Sequence, residues 1–523
     1  GSLVNDGAIY VLEDFVPEDE DGNGSPDGPV ASAANRVGIL GNSTGGQIEN
    51  NGTVYVEGLN SYGIKLADGW GGTFDNTGSI GVVGDNSIGL YTQDVATDLS
   101  IGGSISTVGA GSQVAVIDGD VDGSLVIDGT LTKARSYTND DGDAYTLSRS
   151  QLRVVSPAVE VRGSVSGGIL IDAPPLNLDS DDDDEDDDGV ADADEPTGAI
   201  ISYGESPALV IGSADDIVIG GGQGRDGVFS LGVDGSISAS GSYSTFDATA
   251  VVIGGQGGSV DLTDGIGVGG SITATTPDAS ALALLINEDS NVPSLYVSGS
   301  IAAVISSTGE GSAVAVRDLS GTLSEIDNTG TISVTGASED ETVALDLRQN
   351  TSGVTIRQYL NDVDAESYAE ELEDEDYDPD TPTIYARITG DILTGLGDDQ
   401  ITASTGRIRG ESWLGSGDDS IELSGNAQYI GKIYSEAGAF SMAMSDSSLF
   451  QGLLDTNNQV AQLTLADDAT FTGYTENADQ LSVAVNGGLL QAADGRTLSV
   501  DDLIVGSSGA IGIVIDSEEG TAS

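Results

Sequence analysis

Asp184, Asp186 and Asp188 alternate ahead of Gly189, and Asp192 and Glu195 occupy the ninth and twelfth places counted from Asp184. The pattern is D-x-D-x-D-G-x5-E, the spacing that gathers oxygen ligands around a calcium ion. Alternate acids converge on the ion, the glycine permits a sharp turn, and the last carboxylate closes the shell from the far side. Asp19, Asp21, Asn23 and Asp27, around Gly24, open in the same way but lack the twelfth-place acid. "NDDGD" at 139–143 is a shorter hint of the same kind. So acidic a chain meets such patterns by chance, so a solvated acidic loop stays open at each place. Calcium is the expected cofactor.

"GLGDD" (395–399) and "GSGDD" (415–419) form another acidic pair, 20 residues apart. In a chain that coils, Asp398 and Asp399 would stack over Asp418 and Asp419, and like charges so placed repel unless something separates them. Solvent-facing turn acids are expected here, with a shared ion as the alternative. The stretch 19–27 resembles the calcium repeats of thrombospondin-type and dockerin-type modules, over nine residues.

Other chemistries are short of parts. The chain has no His and no Cys, which removes the usual general base, His-ligated zinc, thiolate sites and disulfides. "NGSPDG" (23–28) and "GESPALVIG" (204–212) set Ser among glycines, but no His exists to activate it and the chain holds three Lys. Paired carboxylates of the polysaccharide lyase or hydrolase kind are everywhere and single out no site. No catalytic residue is assigned, and the chain is expected not to be an enzyme.

The elements that must position these groups are repeats. "NTGSI" (76–80) recurs as "NNGTV" (50–54) and "NTGTI" (328–332). Looser copies are "VDGSL" (121–125), "VRGSV" (161–165), "VDGSI" (233–237) and "VGGSI" (268–272). Between copies lie apolar phrases such as "SYGIKL" (61–66), "SIGLY" (87–91) and "ATAVVI" (248–253). Each unit is strand, turn, strand, turn, with β-branched alternation and Gly or Asn at the corners. The expectation is all-β: a right-handed parallel β-helix, or solenoid, whose coils pair at ~4.8 Å. From 395 onward the apolar position falls at Ile401, Ile421, Met442, Val460, Leu481 and Leu498, which continues the coil. Acidic or polar loop excursions leave it at about 131–155, 174–198 and 361–383. Residues 1–390 are assigned to the coil with these insertions and 391–523 to a C-terminal stem or cap.

With 16 basic and 86 acidic residues the net charge is −70, which excludes electrostatic binding to nucleic acid or anionic membrane. The phrases "ENNGTVYVEGLNSYGIKL" and "DNTGSIGVVGDNSIGLYT" resemble the passenger repeats of autotransporters, the type V secretion proteins of Gram-negative outer membranes. The resemblance covers most of 48–350. "WLGSGDDSIELSGNAQYIGKI" and "LSVDDLIVGSSGAIGIVID", within 391–523, are similar to the autochaperone region that precedes that family's membrane barrel. What it implies is a secreted passenger at the cell surface, itself outside the membrane, tethered through a C-terminal barrel that this sequence lacks. Function is then expected to be that of an adhesin or a self-associating structural rod, its partner a copy of itself or a surface glycan or protein receptor. Passengers of this family include enzymes, so a secreted polysaccharide-active β-helix, or a surface-layer or filament subunit, remains the alternative.

Overall fold

The computed structural model describes residues 1–19, 26–42, 45–67, 69–139, 142–175, 190–307, 311–337, 342–361, 386–512, 515–516 and 521–522. Contacts divide the chain into two compact units. One comprises Gly1–Pro293, Ile301–Ala313 and Thr335–Glu341; the other comprises Ser294–Ser300, Val314–Val334 and Thr342–Ser523. The fold is a parallel β-helix, and each unit is described in turn. Among the described residues no helix is long and apolar enough to cross a membrane.

In the first unit three strands per coil recur, and later coils add a short fourth, Ile217–Ile219, Val260–Leu262 and Ser290–Asn291. One ladder runs through Thr53–Glu57, Ser79–Val83, Ser104–Val108, Thr130–Lys133, Ala199–Tyr203, Ser236–Ser240 and Ser271–Thr276. A second stacks Tyr62–Leu66, Ile88–Thr92, Gln113–Ile117, Val159–Val161, Leu209–Ile211, Ala248–Ile253 and Ala281–Ile286. The third, of three-residue strands, includes Leu99–Ile101, Leu125–Ile127, Ile169–Ile171, Leu231–Val233 and Ile266–Val268. Alternation turns one face inward, so Ile80, Ile105, Leu131, Ile200, Ile237 and Ile272 stack in register with almost no exposure.

This register corrects two of the expected phrase copies. Ser104 pairs with Thr130, so the corner glycines run Gly52, Gly78, Gly103, Gly129 and the coil length holds at 25 or 26 residues. The copy in the fourth coil is "IDGTL" (127–131). "VDGSL" and "VRGSV" sit at another corner, where Val121 bridges Val95 and Val165 and Leu125 enters the third ladder. Chains pass close at the glycine corner: a Cβ on Gly78 would lie 2.1 Å from the carbonyl oxygen of Gly52.

Beside that corner runs a buried amide ladder. Asn5 Nδ2 donates to Asn50 Oδ1 (2.7 Å), Asn50 Nδ2 to Asn76 Oδ1 (2.7 Å), and Asn76 Nδ2 to the carbonyl of Gly102 (2.6 Å). Asn5 and Asn50 each meet an amide one coil on and Asn76 ends the ladder on a backbone carbonyl, so these buried polar atoms are satisfied without leaving the core.

The first excursion departs after Lys133, since Thr130–Lys133 is itself a coil strand. It forms an antiparallel hairpin, Ser136–Thr138 with Ala144–Thr146, then a one-turn helix, Arg149–Leu152, closed by a Ser148–Gln151 capping box. Leu147 and Leu152 pack with Val30, Phe246, and Val83 and Val108, two residues that alternation turns out of the coil. The tract's basic residues pin it: Arg149 covers Tyr243 (4.5 Å), Arg153 covers Phe246 (5.2 Å), and Arg135 covers Tyr203 (5.9 Å).

In the second unit two faces merge into long bent strands, among them Arg407–Ser416, Gln428–Ala437, Leu449–Asp455 and Thr470–Glu476. The bend falls at a column of glycines, Gly410, Gly431, Gly452 and Gly473. The return strands pair Ile401, Ile421, Met442, Leu463, Val483 and Leu503 in register. Val460, Leu481 and Leu498 are therefore not the repeating position. Val460 is 63 % exposed, Leu481 pairs with Ala461, and Leu498 lies outside the strands. "QVAQLTL" offers apolar residues in several phases, and the ladder takes the one that keeps the 20–21-residue coil. Tyr429, Phe450 and Phe471 stack within this unit's core.

Candidate functional site

Of the residues with calcium-loop spacing, Asp21, Asn23, Asp184, Asp186 and Asp188 lie outside the described residues. Asp19 is exposed and Asp27 half-buried. The carbonyl of Glu18 accepts from the amides of Asp27 (3.0 Å) and Gly28 (3.1 Å), which brings the two ends of that segment together. Asp192 begins a 3-10 turn, Asp192–Asp194, and the Glu195 amide donates to the Asp192 carbonyl (3.3 Å). Among the described residues no three Asp, Glu, His or Cys side chains converge as a metal site.

The Gly-Asp-Asp pair departs from the solvent-facing expectation. Asp398 and Asp418 are both exposed, and each carboxylate accepts an amide of the next coil, from Asp418 and Ala439 (2.8 Å each). Asp399 and Asp419 turn inward, to 2 % and 1 % exposure. Asp419 opens the strand Asp419–Leu423, whose alternate residues Ile421 and Leu423 face inward, so Asp419 is turned inside with them. Asp399 Oδ1 accepts from the Val354 amide (2.8 Å), and Asp419 Oδ1 from the Asp399 amide (3.1 Å). Asp419 Oδ2 is buried without a partner among the described residues. Burial, and then the neighbouring charges of Asp399, Asp398 and Asp418, push the Asp419 carboxyl up to about 7; burial also raises Asp399.

Ser206, in the Gly-rich stretch examined for a nucleophile, does meet a lysine. Lys133 Nζ donates to Ser206 Oγ (2.7 Å) and to the Ser156 carbonyl (2.6 Å). Burial lowers the amine to about 7. A neutral amine has two N–H donors, and both have acceptors here. Ser206 Oγ also accepts from the Ser156 amide (3.2 Å) and donates to the Val154 carbonyl (3.2 Å). Ser206 is 1 % exposed, so the contact clasps the exit and return of the excursion and presents no nucleophile to solvent.

An aromatic pair that sequence reasoning missed stands on the outer face of the second unit. Trp413 and Tyr434 are register partners on adjacent coils, stacked at 3.9 Å between centroids and 16° between planes. Trp413 is 39 % exposed. The indole N–H donates to Glu411 Oε2 (3.2 Å), and Lys432 holds Glu411 Oε1 (2.5 Å). Glu411 pushes the Lys432 amine up to about 12. Register neighbours beyond the stack are Leu393 and Asp455. Neither carries a ring, so the ring stack has two members, with Leu393 next in register beyond Trp413 and Asp455 beyond Tyr434. Asp455 is drawn onward by Asn477 Nδ2 (3.1 and 2.9 Å) and the Asn457 amide (2.9 Å). Grooves of about 390 Å³ and 400 Å³ flank the pair, one bordered by Arg348 and Leu396, the other by Asp455 and Asn457, with Glu436 at both. A signal existed: "GESW" and "GKIY" place an aromatic three residues after the corner glycine, one coil apart.

No family profile, no characterised protein and no solved structure matches the chain.

Proposed function

We propose that this chain is a non-enzymatic passenger of the autotransporter kind. It acts at the surface of a Gram-negative cell as an adhesive and structural rod, and calcium orders its acidic loops. The observation that carries the proposal is the division of polar groups between inside and outside. Two buried polar clusters, the Asn5–Asn50–Asn76 ladder and the Lys133–Ser206 clasp, are consumed by the coil. A fixed aromatic pair, Trp413 exposed and Tyr434 half-buried, stands on the outer face instead. A repeating coil that keeps its reactive groups internal and its binding groups external suits display. The calcium part rests on the spacing of Asp184, Asp186, Asp188, Asp192 and Glu195 and of Asp19, Asp21, Asn23 and Asp27, on a chain of net charge −70.

Protease treatment of intact cells carrying the gene tests the display. Release of chain fragments into the medium is expected; a chain protected until the cells are lysed refutes it. Melting and sedimentation in calcium against chelator test the cation, with a higher melting temperature expected in calcium. An unchanged melting temperature and sedimentation coefficient removes calcium from the proposal.

A further inference from the structure

We infer that the Trp413–Tyr434 pair is a binding platform for neutral pyranose sugars within a glycan. The inference deepens the adhesive part of the function proposed above, and it is tested on purified chain, so either can fail alone.

The carbon-bound hydrogens on one side of a pyranose form a flat apolar patch with slight positive charge. The face of an indole or phenol ring is its complement, apolar and electron-rich. Here the rings are held before any ligand arrives. Coil spacing sets their separation, Glu411 fixes the indole through its N–H, and Lys432 fixes Glu411. With the indole N–H occupied, what Trp413 offers is its face. The volumes, about 390 Å³ and 400 Å³, lie in the range of small-ligand sites. One groove borders the Trp413 end of the stack and the other the Tyr434 end, so a sugar ring seated in either lies against the outer side of the pair.

Charge selects among sugars. Glu436, Asp455 and Asn457 border the Tyr434 side; Asp455 is held by Asn477 and the Asn457 amide, and the Asn457 side-chain amide by the Glu436 carbonyl (2.7 Å), so the Glu436 carboxylate is the acceptor offered to a hydroxyl. Arg348 borders the Trp413 side, but its guanidinium is already held by Asp346 (2.8 Å through both Nε and Nη2). A chain of net charge −70 disfavours uronic or sialic acids at such a site.

The two tryptophans make the test direct, because Trp70 is buried at 3 % exposure and Trp413 is exposed. In a Trp70→Phe background, emission and acrylamide quenching report Trp413 alone. The chain is titrated with neutral gluco-, manno- and galacto-oligosaccharides and with oligogalacturonate. Saturable protection of Trp413 by at least one neutral series is expected, with oligogalacturonate at least tenfold weaker. Tyr434→Ala, read by the same fluorophore, should weaken binding at least tenfold, while Tyr434→Phe retains it within threefold. An unchanged thermal melt shows that each variant is folded. No protection by any neutral series, equal binding of the acidic one, or binding undiminished in folded Tyr434→Ala overturns the inference.

Discussion

Asp419 should make the stability of the second unit fall as pH rises, and replacing it with Asn should remove that dependence. An unfolded Asp titrates near ~3.9, whereas the folded carboxyl is pushed up to about 7. With the folded value raised, the native state binds the extra proton between those limits. Stability is then full below the unfolded value and is lost as pH climbs through 7. The shift corresponds to roughly 4 kcal/mol. The neighbouring Asp418 is exposed, and solvent and counterions at that corner reduce the figure to about 1–3 kcal/mol. Asp419→Asn preserves the acceptor for the Asp399 amide and cannot ionise. The assay is urea unfolding of the Trp70→Phe chain at fixed ionic strength, at pH 5 and pH 8, with Trp413 reporting its own unit. At pH 5 the Asn variant should lead by less than at pH 8, because the unfolded carboxyl has lost its proton there while the folded one still largely keeps its own. At pH 8 the Asn variant should be the more stable by the amount above. The general relief of repulsion in acid acts on both and cancels in the difference. Equal midpoints at pH 8, or a less stable Asn variant there, would refute a protonated Asp419.

Lys133 carries the opposite sign in the first unit. Its amine is lowered to about 7 against ~10.4 unfolded, so the unfolded chain holds the extra proton and stability should rise from pH 7 to 10; Lys133→Met, followed at Trp70 in a Trp413→Phe chain, should flatten the rise. Gly431→Ala would set a methyl 1.7 Å from the Gly410 carbonyl oxygen and should cost more than about 3 kcal/mol or abolish folding of the second unit, while Gly7→Ala, which meets nothing within 4 Å, should stay within about 0.5 kcal/mol. Asn50→Ala removes the middle of the amide ladder and leaves Asn76 Oδ1 without its donor; a loss of about 2 kcal/mol or more is expected in urea unfolding of the first unit.

The repeating coil was legible because its corner is chemically narrow. A glycine followed by Ser or Thr and then an inward Ile or Leu recurs wherever that corner recurs, and parallel stacking stands behind the recurrence. The third strand of each coil was not legible. Leu99–Ile101 and its partners are three residues long, and three residues hold one period of alternation, which any apolar pair mimics. The false copies at 121–125 and 161–165 arose there, from valines at a different corner. In the acidic pair the sequence displays two adjacent aspartates but not their phase, and phase alone decides that Asp418 meets water and Asp419 the interior. Lys133 and Ser206, 73 residues apart across an excursion, left no local trace of their contact.

A parallel coil sets each residue beside its counterpart one turn on, so every choice of side chain is repeated in contact with itself. Aliphatic groups gain by this, and amides chain into ladders, but carboxylates repel. The corner aspartates avoid the conflict by turning to backbone. Asp94 accepts the Asp120 amide (3.0 Å) and Asp120 the Ser164 amide (2.7 Å). Asp98 takes the Ser124 amide (2.8 Å), Asp391 the Glu411 amide (2.8 Å), and Asp418 the Ala439 amide (2.8 Å). Amides that leave a ladder at a bend need acceptors, and a carboxylate is a strong one. Much of the acidity therefore belongs to the fold, where it replaces strand pairing at the corners. The calcium proposed above is accordingly placed at 184–195 and 19–27, since these corner carboxylates already hold charge-assisted hydrogen bonds that an ion would displace.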